Sequence, residues 1–197
     1  IRDSLQVLYE LPHSMSAWII GPISKIENLL ENAEVSLLTR GPVAGIIRVK
    51  HKFNKSTIIQ NIYLYKGISR IDIDTRINWQ EVADQKVEAP MLKVSFTPIL
   101  SKTRATFEIP FGYIERISDG REVPALQWVD ISDDEYGLSL LSDTKYGFDV
   151  KGNTLRVTLI RTSYEPDPLP DMREHNFKYA LYPLQGNWKD KDTPRRG

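Results

Sequence analysis

Cysteine is absent from all 197 positions, which excludes a disulfide framework, a thiolate zinc site and a cysteine nucleophile within the chain. The absence suits a reducing compartment, and a cytoplasmic location is the expectation. Excess charge is missing too, since 26 Lys and Arg balance 26 Asp and Glu. A net charge of zero removes the sequence-independent attraction that nucleic-acid binding needs, and no run of Lys and Arg exceeds two residues. Unbroken apolar runs extend only a few residues, against the roughly 20 that span a bilayer. Neither nucleic acid nor membrane is an expected partner. Only three histidines occur, His13, His51 and His175, far apart and outside any HExxH pattern. GxSxG, P-loop and GxGxxG patterns are all lacking.

What the chain does have is period-two alternation. From Arg70 to Trp79, residues Ile71, Ile73, Thr75, Ile77 and Trp79 point one way and Arg70, Asp72, Asp74, Arg76 and Asn78 the other. Between Ile47 and Phe53 an apolar face of Ile47, Val49 and Phe53 opposes Arg48, Lys50 and Lys52. Further strand-like runs lie at Leu5–Leu11, Glu34–Leu38, Thr57–Tyr65, Leu92–Phe96, Ala105–Ile109, Leu126–Ile131, Tyr136–Leu141, Phe148–Val150, Thr154–Arg161 and Asn176–Tyr182. Asn54-Lys55, Lys66-Gly67, Asp119-Gly120 and Lys151-Gly152-Asn153 supply turn residues between them. Many short strands without βαβ alternation predict an all-β fold, an antiparallel sandwich. Ile23, Ile26, Leu29 and Leu30 share a helical face, so one short helix is expected near Ile23–Asn32. Tyr164–Glu174, with three prolines, reads as a long surface loop.

Candidate sites compete with plainer readings. Asp72-Ile73-Asp74 has the form of a cation-binding pair, but Arg70 and Arg76 share that strand face, so a solvated charge ladder is the better reading. Asp130, Asp133, Asp134 and Glu135 read as turn formers, and the Asn54-Lys55-Ser56 sequon as a chance triplet. Four tryptophans and nine tyrosines are enough to line a carbohydrate-binding face, although large rings also fill sandwich cores. Ala105–Ser132 packs Pro110, Phe111, Gly112 and Tyr113 together after a strand-like start and sets the Glu115-Arg116 pair before a turn at Asp119-Gly120.

Several stretches carry a resemblance. GPVAGIIRVKHKF (Gly41–Phe53), STIIQNIYLYKGISRIDIDTRINW (Ser56–Trp79), FEIPFGYIER (Phe107–Arg116), QWVDISDDEYGLSLLSDTKYGFDVKGNTLRVTLIR (Gln127–Arg161) and REHNFKYALYPLQGNW (Arg173–Trp188) occur in one order. Together they resemble glycoside hydrolase family 38, the class II α-mannosidases. The resemblance implies a galactose mutarotase-like antiparallel supersandwich from the C-terminal half of such an enzyme. It places the zinc ion, its ligands, the nucleophile and the acid/base residue outside this chain, in an N-terminal catalytic domain. No cofactor and no catalytic residue are then expected here, and zinc belongs to the full-length enzyme. The chain reads as a single β-sandwich domain over residues 1–197, a piece of a longer α-mannosidase.

From the same resemblance, Arg116 is expected to reach the substrate cleft and hold a carboxylate or a sugar hydroxyl. Tyr113 is expected to stack on, or hydrogen-bond to, the sugar. Asp143 lies in the family's second loop, where Ser142 stands in place of the usual Asn. Gln80 departs from the family's His after the Trp. A mannose-containing oligosaccharide and the catalytic domain are the implied partners, and homo-oligomerisation stays open. Two other readings compete: a free-standing carbohydrate-binding sandwich, and a mutarotase-like epimerase using His51 or His175.

Overall fold

The computed structural model describes residues 2–195. The first strands are β1 (Arg2–Glu10), β2 (Ile23–Asn28), β3 (Glu34–Arg40), β4 (Ala44–Phe53) and β5 (Ser56–Tyr65). β6 (Ile71–Asn78), β7 (Ala89–Thr97), β8 (Arg104–Ile109), β9 (Gly112–Arg116) and β10 (Val123–Pro124) follow. The last are β11 (Trp128–Ser132), β12 (Tyr136–Ser142), β13 (Gly147–Lys151), β14 (Thr154–Arg161) and β15 (Glu174–Gln185). Six form one sheet in the order β10-β13-β14-β7-β1-β2, and nine form the other, β3-β4-β5-β6-β15-β12-β11-β8-β9. Adjacent strands are antiparallel in both, so the expected all-β antiparallel sandwich is what the chain builds.

Alternation explains the layers. Leu5, Val7, Leu92, Val94, Phe96, Leu155 and Val157 of the six-stranded sheet face Ile58, Ile73, Ile77, Phe107, Val129, Leu138 and Phe177 of the other. Trp79 is fully buried between the layers, stacked on Phe53 at 5.8 Å, and donates from Nε1 to Thr162 Oγ1 at 3.0 Å. Asn54 takes φ 47° in the tight β4–β5 turn, a conformation that Asn tolerates well.

The helix expected near Ile23–Asn32 is not formed. Residues Ile23–Asn28 are strand β2, paired with β1 through Val7↔Glu27 and Leu8↔Ile26. The helical spacing of Ile23, Ile26 and Leu29 lost to the unpaired edge of β1, whose backbone groups gain partners only from a strand. The segment between β14 and β15 is a loop as expected. Tyr164, its third residue, is nevertheless buried, donating from its hydroxyl to His13 O at 2.6 Å.

A second, smaller core covers part of the outer face of the nine-stranded sheet. The chain after β15 crosses that face and packs Trp188 against Trp128, Leu141, Ala180 and Leu184. Beneath it Asp130 is fully buried on β11, accepting from Ser139 Oγ at 2.7 Å. Asp130 is thus a buried acid rather than a turn former. Asp133 does form the turn, with Oδ1 accepting from the Glu135 and Tyr136 amides at 2.8 Å each.

Candidate functional site

Beside the second core, the outer face of the nine-stranded sheet holds a groove of about 700 Å³. Register builds it. Tyr63 lies opposite Asp72, Asp72 opposite Ala180, Ala180 opposite Leu141 and Leu141 opposite Trp128. Ala180 is the small residue in that row, so the sheet is open between the Tyr63–Asp72 side and the Trp128 cluster. Two residues further along each strand, on the same face, Asn61 lies opposite Asp74 and Asp74 opposite Lys178. Tyr63 and Tyr65, two residues apart on β5, share a face and stack at 6.1 Å with ring planes 12° apart.

Turns position the remaining walls. Gly67 takes φ 76°, where an L side chain is strained, and returns the chain so that Ile68 and Arg70 border the groove. Arg70 Nε pairs with Asp72 Oδ1 at 2.9 Å, which fixes one carboxylate oxygen. Across the groove, Gln127 precedes β11, and Ser142 and Asp143 end β12. The lining therefore joins flat ring faces, carboxylates, a primary amide and an ammonium group, a donor and acceptor set suited to a polyhydroxylated ligand.

Of the three expected site residues, only Asp143 lines this groove. Both its oxygens are engaged: Oδ1 accepts from Thr144 Oγ1 at 3.0 Å and Oδ2 from the Lys178 amide at 3.0 Å. It ties the β12–β13 loop to β15. Ser142, where the resemblance implies Asn, accepts from the Lys145 amide at 3.0 Å and closes the same loop. Lys145 lies 4.3 Å over the Phe177 ring, and burial holds its ammonium below the ordinary lysine range.

Arg116 and Tyr113 sit elsewhere, on opposite faces of the edge strand β9. Tyr113 stands edge-on to Trp188 at 4.6 Å, under the Lys189 ammonium at 5.0 Å. Arg116 turns the other way, donating to Pro124 O at 2.8 Å with its guanidinium 5.0 Å from the Phe107 ring. It lines a separate cavity of about 430 Å³ with Asp119, Arg121 and Glu122. Three residues apart on a strand, the two cannot serve one face.

The other groove residues were visible to sequence reasoning only in part. The alternation at Asp72–Asp74 predicts a charge ladder, and Arg70–Asp72 is such a pair. Arg76, however, reaches Glu174 at 2.8 and 2.9 Å. Tyr63 and Tyr65 showed as alternating positions, and the register that sets them beside Asp72 was the missing information. Among the described residues, no group of three or more His, Asp or Glu could hold a metal ion.

The architecture defines a two-sheet antiparallel domain with an aromatic and acidic groove on one outer face. The chain belongs to the glycosyl hydrolases family 38 C-terminal domain family, whose sequence profile matches residues 1–169. It is 34% identical over 143 residues to "Alpha-mannosidase 2C1" of Mus musculus, covering 68% of this chain and 13% of that protein. To "Alpha-mannosidase G" of Dictyostelium discoideum it is 28% identical over 174 residues, covering 82% of this chain and 16% of that one. The crystal structure of an alpha-mannosidase from Enterococcus faecalis V583 superposes with a TM-score of 0.77 at 15% identity. That match covers 98% of this chain and 27% of the other, and it shares the fold. The chain spans less than a fifth of the length of the curated relatives it matches.

Proposed function

We propose that this chain is the non-catalytic C-terminal β-sandwich domain of a zinc-dependent, retaining α-mannosidase, and that its groove forms part of the active-site cleft wall. The observation that carries the reading is the groove's lining of Tyr63, Tyr65, Asp72 and Gln127 in a domain of this family. Sugar rings present flat C–H faces to aromatic rings and hydroxyls to carboxylates and amides. Asp72, held by Arg70, accepts from a hydroxyl through its second oxygen, and Gln127 offers both a donor and an acceptor.

In this reading, two carboxylates outside these residues cleave terminal α-mannosidic bonds with retention through a covalent glycosyl-enzyme intermediate. Zinc is held there too. Hydrolysis of an aryl α-mannoside is the test, with the anomeric form released first followed by NMR. The full-length gene product should turn over and release the α-anomer, while the 197-residue chain alone should show no turnover. An inactive full-length product, or an active 197-residue chain, would contradict the reading.

A further inference from the structure

The two sheets are unequal, nine strands against six, and the excess lies at one corner. There β2 is the last strand of the six-stranded sheet and β3 the last of the nine-stranded one. Leu29 and Leu30, just after β2, meet Val49 and His51 of β4 around a small cavity of about 200 Å³. Beyond that point nothing among the described residues covers the inward face of β3 and β4.

That face has the composition of a core. One cross-strand row runs Leu37↔Ile47, Ile47↔Ile62 and Ile62↔Ile73. Exposure falls along it from 62% at Leu37 through 43% at Ile47 to 5% at Ile73, with Ile62 packed against the main core. Val35, opposite Val49, and Leu64, opposite Ile71, widen the strip and are exposed. The outward face of the same β4 carries Arg48, Lys50 and Lys52. A strand that is charged on one face and apolar on the other is built for water on the first side only. The free edge of β2 presents unpaired backbone groups to the space above the apolar strip.

We propose that this corner is a docking site for an extended apolar segment of the same parent polypeptide. That segment pairs with the free edge of β2 as a further strand and seats its side chains on Val35, Leu37, Ile47 and Leu64. A strand added there lies one strand spacing, about 4.8 Å, beyond β2 and about 10 Å above the apolar strip, the normal separations of a packed sandwich. The edge and the strip then become satisfied together. The inference rests on the reading of the chain as part of a longer enzyme, and the matched relatives supply the length: their alignments leave more than four-fifths of each relative outside this domain.

The test is thiol labelling of Leu37→Cys in the full-length gene product, with a maleimide and quantified on the digested peptide. The native protein should label at least tenfold more slowly than the same protein denatured. Alternate amides of β2 should also exchange at least tenfold more slowly there than in the 197-residue chain. Protection under tenfold, or unprotected β2 amides beside a protected Leu37, would overturn the proposal. So would protection that appears only as protein concentration rises, since a second copy is then the occupant, or a native gene product no longer than these 197 residues. Aryl α-mannoside turnover by the same preparation is read separately. Its absence would sink the enzymatic reading and leave the labelling result intact.

Discussion

Phe111 occupies a conformation that glycine would fill without strain. It sits at the tip of the β8–β9 hairpin with φ 66° and its ring fully exposed. Pro110 sets the preceding φ, and an L residue in the left-handed region costs roughly 1–2 kcal/mol. Phe111→Gly should therefore raise the stability of the chain by about 1 kcal/mol in urea unfolding, after glycine's extra chain entropy. An unchanged or lowered midpoint would mean that the ring makes a contact worth keeping. Asp130 gives a second prediction at this scale. Burial pushes its carboxyl up to about 6, against bonds from Ser139 and Ser132 that favour the anion. The folded state then holds a proton that the unfolded chain has released by about pH 4, so Asp130 costs stability as pH rises through 6. Asp133 and Glu10 are held low and act in the opposite sense, so only a difference between two proteins isolates Asp130. From pH 4 to pH 7, Asp130→Asn should gain about 3 kcal/mol relative to the unsubstituted chain, two pKa units at about 1.4 each. Urea midpoints at three pH values check it, and a pH-independent difference would refute it. Strand β11 puts Trp128, Asp130 and Ser132 on one face, although the sequence pattern predicts a turn at Asp130. Nothing local announced that the segment after β15 would cover them.

Strands whose two faces differ were legible, and those decided by partners were not. β4, β6 and β14 alternate plainly, and turn residues such as Asn54 and Gly152 bound them. β2 failed because its apolar spacing fits a helix while the β1 edge demands a strand. The loop that follows β1 shows the same dependence on distant residues. Glu10, buried at the end of β1, takes Arg161 of β14 at 3.0 and 2.7 Å, the Gly21 amide at 2.5 Å and His13 at 2.5 Å. Burial alone would raise its carboxyl; hydrogen bonds from Arg161, Gly21 and His13 hold it below the ordinary range. The stabilisation is present above about pH 4.5 and is lost on acidification. Glu10→Gln leaves the Arg161 guanidinium without its charge partner and should cost about 3 kcal/mol near pH 7. The loss should show in urea unfolding and shrink as pH falls. A variant as stable as the parent chain at pH 7 would contradict this account of the loop.

At the scale of the whole molecule, the two-layer architecture follows from composition and alternation, and its inequality does not. Nine strands against six is a property of register and pairing, and it leaves one corner apolar and open. The groove has the same origin: the β5–β6 hairpin that carries Tyr63 and Asp72 meets Leu141 and Ala180 from strands about 70 to 110 residues further along, so no local pattern names the four as neighbours. Asp143 is singled out by the family resemblance alone, and the structure sets it at the groove's edge with two hydrogen bonds holding it. The most direct measurement is the effect of Tyr63→Ala and Asp72→Asn on kcat/KM for aryl and disaccharide α-mannosides, in the full-length gene product. Each replaces a groove side chain outside the main core, so folding should hold, with Tm shifted by only a few degrees. Each should lower kcat/KM at least tenfold, the loss of about 1.4 kcal/mol of binding or transition-state contact. Unchanged kcat/KM in both variants, with folded protein, would show that the groove takes no part in the reaction.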